Sequence, residues 1–167
     1  MKTENANPNT GQNGQIKAMK KLLVPIDFSE CSRQALRYAL SQARQSHGEV
    51  TLVNVIPDGH TSYEYGVAEA IEVQEQRRKH VTEDLAKLAD DSFQDVRHQF
   101  LVKSGRPFEE IVNAARDLDA DLIIISTHGY PGNTRVDLGS TTERVVRYAP
   151  CPVLVVRSAN PKPTPTA

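Results

Sequence analysis

Asp121-Leu-Ile-Ile-Ile-Ser-Thr-His-Gly129 runs through four consecutive apolar residues, three of them β-branched, then breaks into small polar residues and a glycine. A strand with one wet face alternates apolar with polar, and this stretch does not. A strand covered on both faces reads this way, and such strands belong to parallel sheets flanked by helices. Working outward, Leu22-Leu-Val-Pro-Ile26, Val50-Thr-Leu-Val-Asn-Val-Ile56 and Val153-Leu-Val-Val156 have the same character, and Phe100-Leu-Val102 is a weaker fifth run.

The segments between the runs have helical spacing. Cys31, Ala35, Leu36, Ala39, Leu40 and Ala43 share one face, with Ser29 ahead of them as an N-cap. About Val67 to Asp90 carries Ile71, Val81, Leu85 and Leu88 as its buried side. A third helix starts near Pro107 and buries Phe108, Ile111, Val112 and Ala115. A fourth, about Ser140 to Tyr148, buries Val145, Val146 and Ala149 before Pro150 stops it. The order β-α-β-α-β-α-β-α-β, with right-handed crossovers, predicts a doubly wound five-stranded parallel sheet with helices on both faces. In such sheets ligands sit past the carboxyl ends of the strands, where the winding reverses.

The 167 residues fit one domain, 21–157, between two tails. Residues 1–20 are polar and aperiodic, without the apolar stretch of a secretory leader. Residues 158–167 are Pro-rich, and both tails are expected to remain unpacked. Twenty basic against 21 acidic residues argue against a nucleic-acid coat protein. No run approaches the roughly 18 apolar residues of a membrane span. Cys31 and Cys151 lack metal or redox spacing and read as small buried hydrophobes. A cytoplasmic location is expected.

Three places after the strands can carry chemistry. Asp27, at the end of the first strand, can accept hydrogen bonds from an adenosine group or equally help cap the following helix. Ser126-Thr-His-Gly-Tyr-Pro-Gly-Asn133 can wrap its backbone around an anion, although taken alone an ordinary surface turn is the commoner meaning of such glycines. Gly139-Ser-Thr-Thr-Glu143 has the S-x-x-E spacing of a capping box; a helix start attracts phosphate, yet most capping boxes only cap. The glycine turn and the helix start flank one loop, which strengthens the anion reading. The five histidines form no H-x-x-x-H pair, and Asp117, Asp119 and Asp121 read as a solvated approach to the fourth strand rather than a calcium loop. Neither a P-loop nor a G-x-S-x-G elbow occurs.

In Lys21-Leu-Leu-Val-Pro-Ile-Asp-Phe-Ser29, Leu52-Val-Asn-Val-Ile56, Gly105-Arg-Pro107, Asp121 to Gly129 and Gly139 to Val156, the chain resembles the universal stress protein family. The resemblance covers nearly everything from Lys21 to Arg157. It implies a Rossmann-like fold of the adenine nucleotide α-hydrolase type. The family's nucleotide-binding branch carries Gly, two residues, Gly, nine residues, then Gly-Ser or Gly-Thr; here Gly129, residues 130–138 and Gly139-Ser140 match. By that resemblance Pro25, Asp27 and Val55 line an adenosine pocket. Ser126, Thr127, His128, Gly129, Tyr130 and Gly132 wrap ribose and phosphates, and Gly139, Ser140 and Thr141 hold phosphate.

The resemblance thus implies ATP with Mg2+ on its phosphates, at most slow hydrolysis, a regulatory role in stress, and a homodimer through Val153, Leu154, Val155 and Val156. Three departures bear on it. Ser126 replaces the first glycine, which costs roughly 1 kcal/mol if the position needs positive φ. Pro131 removes an N–H donor, and Asp137 places a negative charge before the phosphate corner. They motivate an alternative, a dimeric interaction module that binds no nucleotide. An enzyme of the wider group is disfavoured, because neither a Ser-Gly-Gly turn after the first strand nor an H-x-G-H is present.

Overall fold

A computed structural model describes residues 18–58, 67–127 and 139–157. Along the chain run β1 (Lys21–Pro25), α1 (Glu30–Ser46), β2 (Glu49–Ile56), α2 (Val67–Ser92), β3 (Arg97–Ser104), α3 (Pro107–Asp117), β4 (Leu122–Ser126), α4 (Ser140–Tyr148) and β5 (Val153–Val156). The strands form one parallel sheet in the order β3-β2-β1-β4-β5. The expected α/β, doubly wound architecture is therefore present. From β1 the chain winds outward through β2 to β3, returns across the sheet to β4, and winds the other way to β5. The reversal falls between β1 and β4, which lie side by side with Leu22 opposite Leu122 and Leu23 opposite Ile123.

Continuous apolar strands let successive residues serve opposite layers. Leu22, Val24 and Ile26 pack with Leu36, Leu40, Leu85 and Leu88 under α1 and α2. Leu23, Ile123 and Ile125 pack with Ile111, Ala115 and Val145 under α3 and α4. The packing reaches back to Met19, ahead of β1.

α1 starts at Ser29, whose Oγ accepts the Ser32 N–H at 3.1 Å. It ends at His47, in the left-handed region with φ 50°. Gly48 follows because β1 passes directly over it: a Cβ there would lie 2.5 Å from the Lys20 carbonyl oxygen.

Several expectations change in three dimensions. Ile71 is 59% exposed. At 26 residues α2 is about 39 Å long, whereas eight-residue β3 spans about 26 Å, so about the first third of the helix overshoots the sheet. Val146 is 45% exposed, because its neighbour Val145 takes the core-facing position and the next residue lies about 100° around the helix. Cys31 and Cys151 are free thiols and only half-buried, since both sit at the ends of elements rather than in the core. Asp121 is no solvated residue. It is 5% exposed, and its Oδ2 accepts the N–H groups of Lys20 at 3.0 Å and Lys21 at 2.9 Å, buckling β4 to the start of β1.

Candidate functional site

The carboxyl ends of β1 and β4 open where the winding reverses. Pro25 continues the side of Leu23, Val55 that of Val53, and Thr127 that of Ile125, all of which belong to the α3 and α4 layer. Three of the candidate residues thus project toward the layer in which α4 begins.

Just past β1, Asp27 is exposed and its Oδ1 accepts both the Ser29 N–H at 3.0 Å and the Ser29 Oγ–H at 2.6 Å. Asp27 therefore holds the residue that caps α1, which was one of its two readings from sequence. Among the described residues its Oδ2 receives no hydrogen bond. Phe28, between the two, is forced to φ 64°, a costly conformation for a bulky residue and one that concentrates at functional turns. From β2, buried Asn54 donates its Nδ2–H to the Ile26 carbonyl at 2.7 Å and so fixes the backbone just before Asp27.

On β4, Ser126 is the last strand residue, buried and opposite Val156. The non-glycine residues with positive φ among the described residues are Phe28, His47 and Asp119. Ser126 is not one of them, so replacing glycine there carries no conformational penalty of that kind. Past the strand, the Thr127 N–H donates to the Val156 carbonyl at 3.0 Å, and the Thr127 carbonyl accepts the Gly139 N–H at 2.9 Å. Residues 127 and 139, the two feet of the glycine loop, are thereby clasped together.

The predicted capping box does not form. Gly139 is the N-cap, it has no side chain to cap with, and Ser140 is the first helical residue. The Glu143 carboxylate, expected to reach back, instead accepts from Arg147 at 3.3 Å one turn on. Glu143 gives its N–H to the Gly139 carbonyl at 2.9 Å. Among the described residues no side chain caps the first-turn amides of Ser140, Thr141 and Thr142. With the aligned peptide dipoles behind them they form an anion-attracting end. Ser140 is exposed and Thr141 half-exposed, so their hydroxyls are accessible too. On the outer side of α4, Phe108, Ser140, Glu143, Arg144, Arg147 and Tyr148 line an open groove of about 490 Å³, with the Arg144 guanidinium 5.0 Å from the Phe108 ring centre.

The structure thus brings Pro25, Asp27, Val55, Ser126, Thr127, Gly139, Ser140 and Thr141 to the carboxyl edge of the sheet. His128, Gly129, Tyr130 and Gly132, together with Pro131 and Asp137, lie outside the described residues. Two supporting residues escaped sequence reasoning, Asn54 and Thr142. Asn54 had a legible signal, a polar residue inside an apolar strand run. Thr142 had none, since it reads as an ordinary first-turn threonine.

A family model described as the universal stress protein family matches residues 19–157. Universal stress protein MJ0531 of Methanocaldococcus jannaschii is 33% identical over 141 residues, covering 83% of this chain and 82% of its own length. Universal stress protein MJ0577 of the same organism is 32% identical over 156 residues, covering 84% and 96%. The solved structure of MJ0577 superposes with a TM-score of 0.77 over 86% of this chain and 99% of that one, at 29% identity. A universal stress protein in complex with cAMP shares the fold, with a TM-score of 0.57 and 23% identity over 84% of this chain and 98% of that one.

Proposed function

The chain belongs to the universal stress protein family, and from that premise we propose that it binds ATP at the carboxyl ends of β1 and β4 as a regulator of the stress response. One observation carries the reading: among the described residues α4 starts at Gly139 without a side-chain cap on its first-turn amides, beside the point where the sheet reverses. A triphosphate suits that end by charge and by hydrogen-bonding capacity. Ser140 and Thr141 add hydroxyl donors. Asp27, with Oδ2 open, suits a ribose or base donor, and Pro25 and Val55 offer apolar surface. Mg2+ would accompany the phosphates and offset their charge, the chemistry it supplies in such sites. Hydrolysis would be slow at most, because the donors described bind phosphate without placing a base beside an attacking water. A cytoplasmic homodimer completes the reading: among the described strands β5 pairs only with β4, and an apolar outer edge favours pairing with a second copy.

Isothermal titration with ATP and Mg2+ tests the assignment. Saturable binding is expected, and Ser140→Ala should weaken it by about 1–3 kcal/mol if the hydroxyl meets charged phosphate. Absence of both heat and thermal shift at millimolar ATP would reject the reading in favour of an interaction module that works without nucleotide.

A further inference from the structure

The strongest unassigned feature is a buried bond under the start of α4. Thr142 is 4% exposed, and its Oγ1–H donates to the Ser126 carbonyl at 2.8 Å. That carbonyl is the last of β4, the strand that borders the reversal point. Helix starts are normally held by the N-cap side chain. Gly139 has none. The first turn of α4 is instead anchored from beneath, by a side chain inside the helix reaching down to the sheet.

Its position has two consequences. The bond occupies a strand-end carbonyl whose partial negative charge would otherwise lie beside the crevice. It also sets the height and tilt of residues 140–142, whose amides form the anion-attracting end. The clasp between Thr127 and Gly139 ties the loop feet through backbone groups; Thr142 ties the α4 start to β4 through a side chain. Asn54 holds the carbonyl of Ile26, the residue just past β1, in a similar way. The two strand ends that flank the reversal are thus each held by a buried side chain from a neighbouring element.

We propose that Thr142 is a positioning residue that holds the α4 amides in register for the phosphate tail, and so sets the preference of the site for a triphosphate over an unphosphorylated nucleoside. The proposal rests on the ATP reading above. Without the hydroxyl, the uncapped first turn frays, and binding must order it again. That cost falls on ligands that use the amides and not on adenosine, which rests against β1 and β2.

The test compares Thr142→Val, which keeps the shape and removes the donor, with Thr142→Ser, which keeps the donor. Each is titrated with ATP plus Mg2+ and with adenosine, the adenosine by competition if its heat is small. Thr142→Val should bind ATP about tenfold more weakly, the scale of one lost hydrogen bond, while adenosine affinity changes less than about twofold and Thr142→Ser restores ATP binding. Amide exchange at residues 141–143 should speed up in Thr142→Val and return to normal in Thr142→Ser.

A folded Thr142→Val that binds ATP like the unaltered chain overturns the positioning role and leaves the ATP assignment standing. Equal loss for ATP and adenosine also overturns it, because a merely structural role predicts that pattern. If Thr142→Val does not fold, Thr142→Ala, which leaves a small void instead of a methyl against the carbonyl, is judged by the same two ratios. Failure of the unaltered chain to bind ATP defeats the underlying reading itself, and is recognised before any variant is made.

Discussion

Cys151 shows at the residue scale how burial governs chemistry. It lies between α4 and β5, and desolvation pushes its thiol above the ordinary value of 9.0, assisted weakly by the nearby negative charge of Asp121 and opposed by a backbone hydrogen bond from Ile123. The neutral thiol is therefore favoured in the folded chain. As pH rises past the ordinary thiol value, the unfolded chain ionises first and the folded state loses stability. Denaturant midpoints should fall between about pH 8.5 and 10, and Cys151→Ala should flatten that decline; equal slopes in both proteins would remove the thiol from the account. The same scale explains what sequence could and could not say of single residues. Asp27 stood equally as a ligand contact and as a capping aid, and the bonds to Ser29 bear out the capping aid while leaving one carboxylate oxygen open. Asp121 looked solvated because aspartates usually are. Only the arrival of Lys20 and Lys21 beside it, a hundred residues earlier in the chain, gives its carboxylate a reason to be buried.

At the scale of elements, α1 and α4 start in opposite ways. α1 has a full side-chain cap, with Asp27 holding Ser29 and Ser29 holding the Ser32 amide. One of its first-turn amides, that of Ser32, is satisfied by that cap. α4 starts at a glycine, and among the described residues no side chain caps it. Ser29→Ala should cost about 1 kcal/mol of unfolding free energy, read from a urea midpoint, because it removes a satisfied N-cap. No change would mean that Asp27 takes over the cap directly. The S-x-x-E spacing at Ser140 predicted a cap on α4 as well, and failed by one residue: the chain enters the helix at Gly139, so the serine lies inside the first turn. Such one-residue shifts are invisible to a spacing rule, because Gly, Ser and Thr are all acceptable at a helix start. The overshoot of α2 is a second case. Its apolar spacing continues into Ile71 although the sheet it covers has already ended.

Over the whole molecule, the parallel sheet ends in β5 on one side and β3 on the other. Leu154 on β5 is 43% exposed. If this edge pairs with a second copy, Leu154→Arg should weaken association by about tenfold or more, shifting sedimentation from dimer toward monomer. An unchanged sedimentation profile would move the interface elsewhere. The sequence by itself determined the α/β class and the number and order of elements. These follow from local facts: unbroken apolar runs, helical spacing, and glycines where the chain turns. Only the tertiary structure decided that β1 and β4 are the neighbours between which the winding reverses, that among the described residues no side chain caps α4, and that Asn54 and Thr142 hold the two strand ends from beneath. Those depend on which backbone carbonyl lies within about 3 Å of which side chain, a matter of three-dimensional register that no spacing along one chain encodes.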